Sequence, residues 1–248
     1  MKNILDICYS FEYKQFLDIH LPECDSFPVY VYFHGGALEY GDKSEEKVFF
    51  EYMTQHGIAV VSVNYRMYPN AKYPDYIEDA ATAVAWVFRN ISDYGQVSKI
   101  FVGGTSAGSY ISEMLCFDDS WLGKYGIKST DITAFVHDAG QPTCHMNVLR
   151  ERGIDSRRVI IDDSAPLYYI EPNKCYPPMF ITVSDNDIPN RYEQVMLLIS
   201  TLKCFGYGDK VEFKLLNGKH CSYLNSLDEQ GVSIYGQIIF NYIKQFNN

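Results

Sequence analysis

The 248-residue sequence has no Cys-x-x-Cys pair, no dense stripe of Lys and Arg, and no apolar run long enough to cross a membrane. Its seven cysteines, Cys8, Cys24, Cys116, Cys144, Cys175, Cys204 and Cys221, are scattered and odd in number. That pattern argues against a disulfide framework and predicts a reduced, cytoplasmic protein. The formal charge is −10, the wrong sign for gripping a phosphate backbone, so nucleic acid is not an expected partner. The first ten residues carry an acid at Asp6 and too short an apolar stretch for a signal peptide, and no membrane partner is expected. Internal repeats, low-complexity tracts and linkers are missing too, so 1–248 reads as one domain. Tryptophan is scarce at 2 residues while tyrosine is abundant at 21, a balance that suits an amphipathic, aromatic-lined cleft.

What is present is an alternation of strand and helix patterns. Ile4–Cys8 and Gln15–Leu21 read as an opening hairpin, and Pro28–Phe33 and Ile58–Val63 as buried strands. Helical spacing runs over Lys43–His56 and, most clearly, over Asp75–Arg89, where Trp86 reads as a core residue. Strands follow at Ile100–Val102, Ile132–Val136, Met179–Val183 and Val211–Leu215, the last with edge-type alternation. Helices are expected after Ser106, over Arg191–Phe205 and over Glu229–Phe246. Such an order predicts an α/β fold with a mostly parallel central sheet covered by helices on both faces. Residues 140–173 break the alternation and read as an insertion over one end of the sheet, either a small lid or a plain surface excursion.

The stretch Lys99–Tyr110 organises the rest. An apolar strand ends at Gly103-Gly104, Thr105 and Ser106 follow, then Ala107 and Gly108, and a helical pattern begins. This is Gly-x-Ser-x-Gly in a strand–turn–helix setting, which would hold Ser106 in a strained conformation with its hydroxyl projecting from the sheet. A serine nucleophile needs a base, an orienting acid and donors for an oxyanion, and in a parallel sheet these gather at the carboxyl ends of strands. After the strand ending at Phe33 comes His34-Gly35-Gly36-Ala37. By position, the backbone N–H groups of Gly36, Ala37 and Ala107 are assigned to the oxyanion hole, and His34 to holding the loop. After Val183 come Asp185 and Asp187, and after Leu215 comes His220. The order Ser106, Asp, His220 is that of an α/β-hydrolase. Asp187 is favoured as the acid because it lies further into its loop and close to Pro189; Asp185 remains the alternative.

The motifs His34-Gly35-Gly36, Asn64-Tyr65-Arg66-Met67-Tyr68-Pro69, Tyr73-Pro74, Glu78-Asp79-Ala80, Trp86, Gly104-Thr105-Ser106-Ala107-Gly108, Asp187 and His220 together resemble the esterase/lipase branch of the α/β-hydrolase superfamily. The nearest groups are the hormone-sensitive-lipase-like carboxylesterases and small bacterial acetyl and feruloyl esterases. The resemblance runs from about Pro28 to the C-terminus. It implies an α/β-hydrolase fold and a two-step acyl transfer through Ser106, Asp187 and His220, with no cofactor or metal. The implied partner is a small-molecule ester with a short acyl chain or a carbohydrate or aryl group, and a homodimer is compatible with it. Ala37 stands where the lipase branch often has a third glycine. A non-glycine there also resembles kynurenine formamidases, which keeps an aryl formamide open as substrate.

Other residues carry structural readings. Arg66 and Asp79 read as a buried pair that stiffens the loop after the fourth strand. His137, Asp138, Cys144 and His145 combine metal-ligating residue types, but their spacing matches no zinc pattern. Tyr110, Tyr168, Tyr169 and Tyr223 are either pocket walls or ordinary packing. Of the rival classes, a patatin-type dyad lacks its Asp-Gly-Gly/Ala motif here, and a dinucleotide fold lacks G-x-G-x-x-G spacing. A non-catalytic ligand-binding relative of the hydrolases is the remaining alternative of a different kind.

Overall fold

The computed structural model describes residues 2–246. Its eight strands are β1 (Lys2–Ser10), β2 (Gln15–Leu21), β3 (Ser26–Phe33), β4 (Ala59–Val63), β5 (Gln96–Thr105), β6 (Ala134–Asp138), β7 (Met179–Asn186) and β8 (Val211–Lys219). They form one sheet in the order β1-β2-β4-β3-β5-β6-β7-β8. The opening hairpin pairs antiparallel and joins β4 antiparallel, whereas every pair from β4 to β8 is parallel. Parallel strands need crossovers, and the sequence supplies a helix in each of the longer ones. The helices are α1 (Lys47–Gln55), α2 (Asp75–Asn90), α3 (Ala107–Phe117), α4 (Asp119–Gly123), α5 (Met146–Glu151), α6 (Arg191–Cys204) and α7 (Ile234–Lys244).

Side-chain alternation along the strands builds two cores. Val29, Val31 and Phe33 of β3 face one way, into a core shared with Ile77, Ala80 and Val84 of α2, Ile111 and Met114 of α3 and, further along the sheet, Leu198 and Leu202 of α6. Tyr30 and Tyr32 face the other way, into Phe49, Phe50 and Met53 of α1 and Tyr235, Ile239 and Ile243 of α7. With both faces covered, β3 and β4 read as continuous apolar runs rather than as alternating ones.

Several boundaries differ from the sequence reading. The first helix starts at Lys47, not Lys43, because Asp42 turns back to accept from the backbone N–H of Ser44 and the side chain of Asn64. The last starts at Ile234 rather than Glu229, where the Ser233 hydroxyl caps the N–H of Gly236. Trp86 is only half-buried at the edge of the core. Residues 140–173 hold α5 and a short turn of tight helix at Pro166–Tyr169. Gln141, Thr143, Cys144, His145 and Asn147 in that segment are buried. Arg66 and Asp79 do pair: Arg66 gives its backbone N–H to Asp79 Oδ2 at 2.8 Å and its Nε at 2.9 Å.

The close crossing of α3 over β3 is set by glycine. A Cβ at Gly108 would stand 2.0 Å from the carbonyl oxygen of Phe33, and one at Gly104 would stand 2.6 Å from the same atom. Gly108→Ala is therefore expected to destabilise the fold by roughly 2–3 kcal/mol. A Cβ at Gly123 of α4 meets nothing within 4 Å, so Gly123→Ala is expected to stay within about 1 kcal/mol of the parent. Urea denaturation of the two variants checks the pair, and equal midpoints would show that the crossing tolerates a methyl group.

Candidate active site

Ser106 sits between β5 and α3 with φ of 55° and ψ of −110°, a conformation unfavourable for a residue with a side chain. Its backbone N–H donates to the carbonyl of Asp138 at 2.8 Å, which fixes the turn to the end of β6. The hydroxyl lies 2.8 Å from Nε2 of His220, the first residue after β8. Nδ1 of that ring lies 2.7 Å from Oδ1 of Asp187, just beyond β7. Three strand ends thus bring Ser106, His220 and Asp187 into one hydrogen-bonded line.

The acid is held as well as aimed. Asp187 Oδ1 also accepts the N–H of Ile188 at 2.8 Å. Burial pushes the Asp187 carboxyl up, yet the hydrogen bond and charge of His220, the Ile188 N–H and the charge of Arg191 outweigh it. The net effect holds it below its ordinary value. Arg191 is itself 3% exposed and donates to the carbonyl of Ala139 at 2.7 Å and to Gln141 Oε1 at 3.2 Å. Asp185, the alternative acid, is exposed and accepts the N–H of Gly218 at 2.9 Å. It ties the ends of β7 and β8 together and forms no hydrogen bond or ion pair with His220. Ser184 Oγ adds a second tie by donating to the carbonyl of Lys219 at 2.9 Å.

Opposite this line runs the loop after β3. Gly36 and Ala37 have φ of 108° and 55°, and the turn closes through N–H groups of Glu39 and Tyr40 on the carbonyl of Gly36. The backbone N–H groups of Gly36, Ala37 and Ala107 have no protein acceptor among the described residues, as donors kept for an oxyanion would require. His34 is fully buried, stacks on Tyr65 at 4.5 Å, and holds the carbonyl of Gly35 through Nδ1 at 2.7 Å. Burial pushes its imidazole down to about 4.

A cleft of about 320 Å³ joins these parts, with Tyr40, Glu46, Met146, Ile188 and Leu224 around Ser106 and His220. A larger recess beside Pro22, Thr54 and Gly57 lies elsewhere and contains no nucleophile–base contact. None of the four tyrosines weighed from the sequence lines the cleft. Tyr110 is buried and donates to the carbonyl of Ser164, and Tyr168 is exposed. Tyr169 donates to the carbonyl of Asp163. Tyr223 donates to Asp138 Oδ1, which also accepts from Thr182 Oγ1 at 2.6 Å.

Three further acids are buried in the structure. Burial raises Asp138 to about 6, against the hydrogen bonds of Thr182 and Tyr223. Burial, with the neighbouring charge of Glu45, raises Glu46 to about 7. Burial raises Glu113 on α3 to about 8, against the charge of Arg191 and a hydrogen bond from Ser109. Sequence reasoning missed Glu46 because it sits in a polar run that reads as a helix surface. The remaining metal-type residues are dispersed: His137 Nδ1 meets Ser112 Oγ at 2.9 Å and Cys144 Sγ meets Asp162 Oδ1 at 3.0 Å. Among the described residues, no three His, Cys, Asp or Glu side chains converge as a metal site would require.

Comparison with known proteins places this geometry in context. Residues 17–122 match the BD-FAE family model. Over 93 residues the chain is 38% identical to Carboxylesterase NlhH of Mycobacterium tuberculosis, a stretch covering 37% of this chain and 29% of that protein. It is 28% identical to Kynurenine formamidase of Danio rerio over 120 residues, covering 48% of this chain and 40% of that protein. The matched stretch thus spans well under half the length of these relatives. Among solved structures, Esterase B from Lactobacillus rhamnosis superposes with a TM-score of 0.79 at 17% identity, covering 98% of this chain and 85% of that one. A truncated carbohydrate esterase from gut microbiota superposes with a TM-score of 0.78 at 19% identity, covering 99% and 96%. At such identities the likeness is one of fold.

The two acids can be told apart without knowing a substrate. Asp187→Asn is expected to slow labelling of Ser106 by a fluorophosphonate probe by about 10³- to 10⁴-fold, and Asp185→Asn by less than about tenfold. Mass spectrometry of the labelled protein over time provides the rates, and an unimpaired Asp187→Asn would reverse the assignment.

Proposed function

We propose that this chain, which belongs to the esterase/lipase branch of the α/β-hydrolase superfamily, is a serine carboxylesterase acting on small esters through an acyl-enzyme on Ser106. The observation that carries this reading is the unbroken contact from Ser106 Oγ to His220 Nε2 and from His220 Nδ1 to Asp187 Oδ1. His220 takes the hydroxyl proton as Ser106 attacks the ester carbonyl, and Asp187, kept anionic, holds the ring in the tautomer that can accept it. Charge gathers on the former carbonyl oxygen, where the N–H groups of Gly36, Ala37 and Ala107 receive it. His220 then returns the proton to the departing alcohol. Water repeats the sequence on the acyl-enzyme and restores Ser106. The strained turn at Ser106 exists before substrate arrives, so the nucleophile needs no rearrangement to attack.

The cleft volume favours a small acyl or alcohol part, since drug-sized ligands occupy clefts of about 300–1,000 Å³. A second reading, hydrolysis of an aryl formamide by the same steps, is favoured by the match to a kynurenine formamidase and by Ala37 in the oxyanion loop.

A panel of 4-nitrophenyl esters from acetate to decanoate, with an aryl formamide alongside, discriminates these by kcat/KM. Short acyl esters are expected to lead. Ser106→Ala is expected to keep its circular dichroism and lose about 10⁴-fold or more in kcat. Parent protein inert to every activated ester and to the formamide would leave a ligand-binding role on a hydrolase fold.

A further inference from the structure

Glu46 is an odd residue to find in the wall of an ester-hydrolysing cleft. It is 5% exposed, it lines the cleft that contains Ser106 and His220, and its Oε2 is buried with no hydrogen-bond partner. Glu45 lines the same cleft from the preceding position. Among the described residues neither carboxylate is in an ion pair. Lys43 is engaged elsewhere, with Asp6 and Asp18 at 2.9 and 2.8 Å, as is Arg150 with Glu39, and Lys47, which follows Glu46, is exposed and does not line the cleft. Among the described residues, none that lines the cleft is Lys or Arg.

We propose that Glu46, with Glu45 and the ring of Tyr40, forms a cation-accepting subsite that selects esters bearing an ammonium group. This rests on the esterase reading and deepens it. A carboxylate removed from water without a counter-charge is costly, and a substrate cation placed against it offsets that cost. Tyr40 is 66% exposed at the cleft, so its ring face is free for the cation–π contact that an ammonium group favours. The chemistry of the lining also distinguishes an ammonium group from a polyol. Sugar hydroxyls need donors as well as acceptors around them, and beside the hydroxyls of Tyr40 and Thr105 the lining presents two carboxylates that only accept when ionised. An ammonium group offers positive charge alone, which is what these residues match. An anionic acyl or alcohol part would meet two like charges.

The groups around Glu46 are Asp42, Glu45 and the exposed Lys47 on its own segment, Tyr32 on β3, Tyr65 beyond β4, and His220 and Cys221 after β8. Of these, those lining the cleft are acidic or neutral apart from the His220 imidazole. Because Glu46 is raised to about 7, its charge, and with it the preference for cations, grows as pH rises through that value. The protonation of His220 acts equally on a cationic ester and its neutral isostere, so it cancels in their ratio.

Two isosteric pairs test this. Acetylthiocholine is compared with S-(3,3-dimethylbutyl) thioacetate, and the 4-nitrophenyl ester of 4-(trimethylammonio)butanoate with that of 5,5-dimethylhexanoate. The kcat/KM ratio of cation to isostere is expected to reach about tenfold at pH 8 in at least one pair, the size of one charge-assisted contact. It should fall by several fold at pH 6, and 4-nitrophenyl hemiglutarate should be the poorest substrate. Glu46→Gln is expected to bring the ratio close to one, a change that a merely structural role would not produce. Glu45→Gln, at an exposed position, lowers the ratio by a smaller factor and serves if the first variant fails to fold. A ratio near one in both pairs for the parent overturns the proposal, as does a ratio that survives both substitutions. A sugar acetate that outperforms the cations and depends on Glu46 overturns it in favour of a hydroxyl-binding subsite. Hydrolysis of the neutral isosteres without cation preference would leave the esterase reading standing, whereas failure to hydrolyse any ester would remove that reading itself.

Discussion

Gly108 brings the first turn of α3 against the carbonyl of Phe33, and the geometry of the site depends on that approach. With no side chain at Gly104 or Gly108, strand and helix pass closely enough for Ser106 to be forced into positive φ between them. The hydroxyl then stands clear of the sheet, the free N–H of Ala107 lies beside it, and the Asp138 carbonyl anchors the turn from the neighbouring strand. The two strand ends that complete the site are tied to each other through Ser184 and Asp185. The reacting line is therefore assembled from strand ends whose spacing is set by the parallel ladder, a rigid support for residues that must stay within hydrogen-bonding reach.

This dependence explains which parts are legible in the sequence. Glycine at 104 and 108, an apolar run before them and a helical run after them can be read because each reflects a local steric demand. Ser106, Asp187 and His220 are legible because each directly follows a strand, or nearly so, and the strands are short apolar runs with clear ends. The choice between Asp185 and Asp187 is harder, since both lie at the carboxyl end of β7. It is decided by which carboxylate reaches His220 and which is occupied by the N–H of Gly218, and only Asn186 separates the two.

The cleft walls are less legible for the opposite reason. Tyr40, Ile188 and Leu224 come from separate loops or turns and Met146 from the start of α5, and no periodicity links them. Tyr110 and Tyr223 are adjacent to the motif residues in sequence, yet their hydroxyls are spent holding Ser164 and Asp138 in the interior. Helix starts at Lys47 and Ile234 depend on caps and turns made by Asp42 and Ser233, which are long-range or conformational choices rather than patterns of hydrophobicity. Tertiary contacts override propensity at such ends.

Asp138, Glu46 and Glu113 each leave one oxygen buried without a partner. A formal charge of −10 counts all three as ionised, but burial moves them to about 6, 7 and 8. Unfolded, they release their protons in the ordinary carboxylate range near pH 4. Between that range and their raised values the native chain binds more protons than the unfolded one, so folding takes up protons from solvent. The stability these groups contribute is complete below the ordinary range and is lost as pH rises through about 6, 7 and 8. For these three sites alkali, rather than mild acid, is the destabilising medium, even though the chain as a whole is acidic.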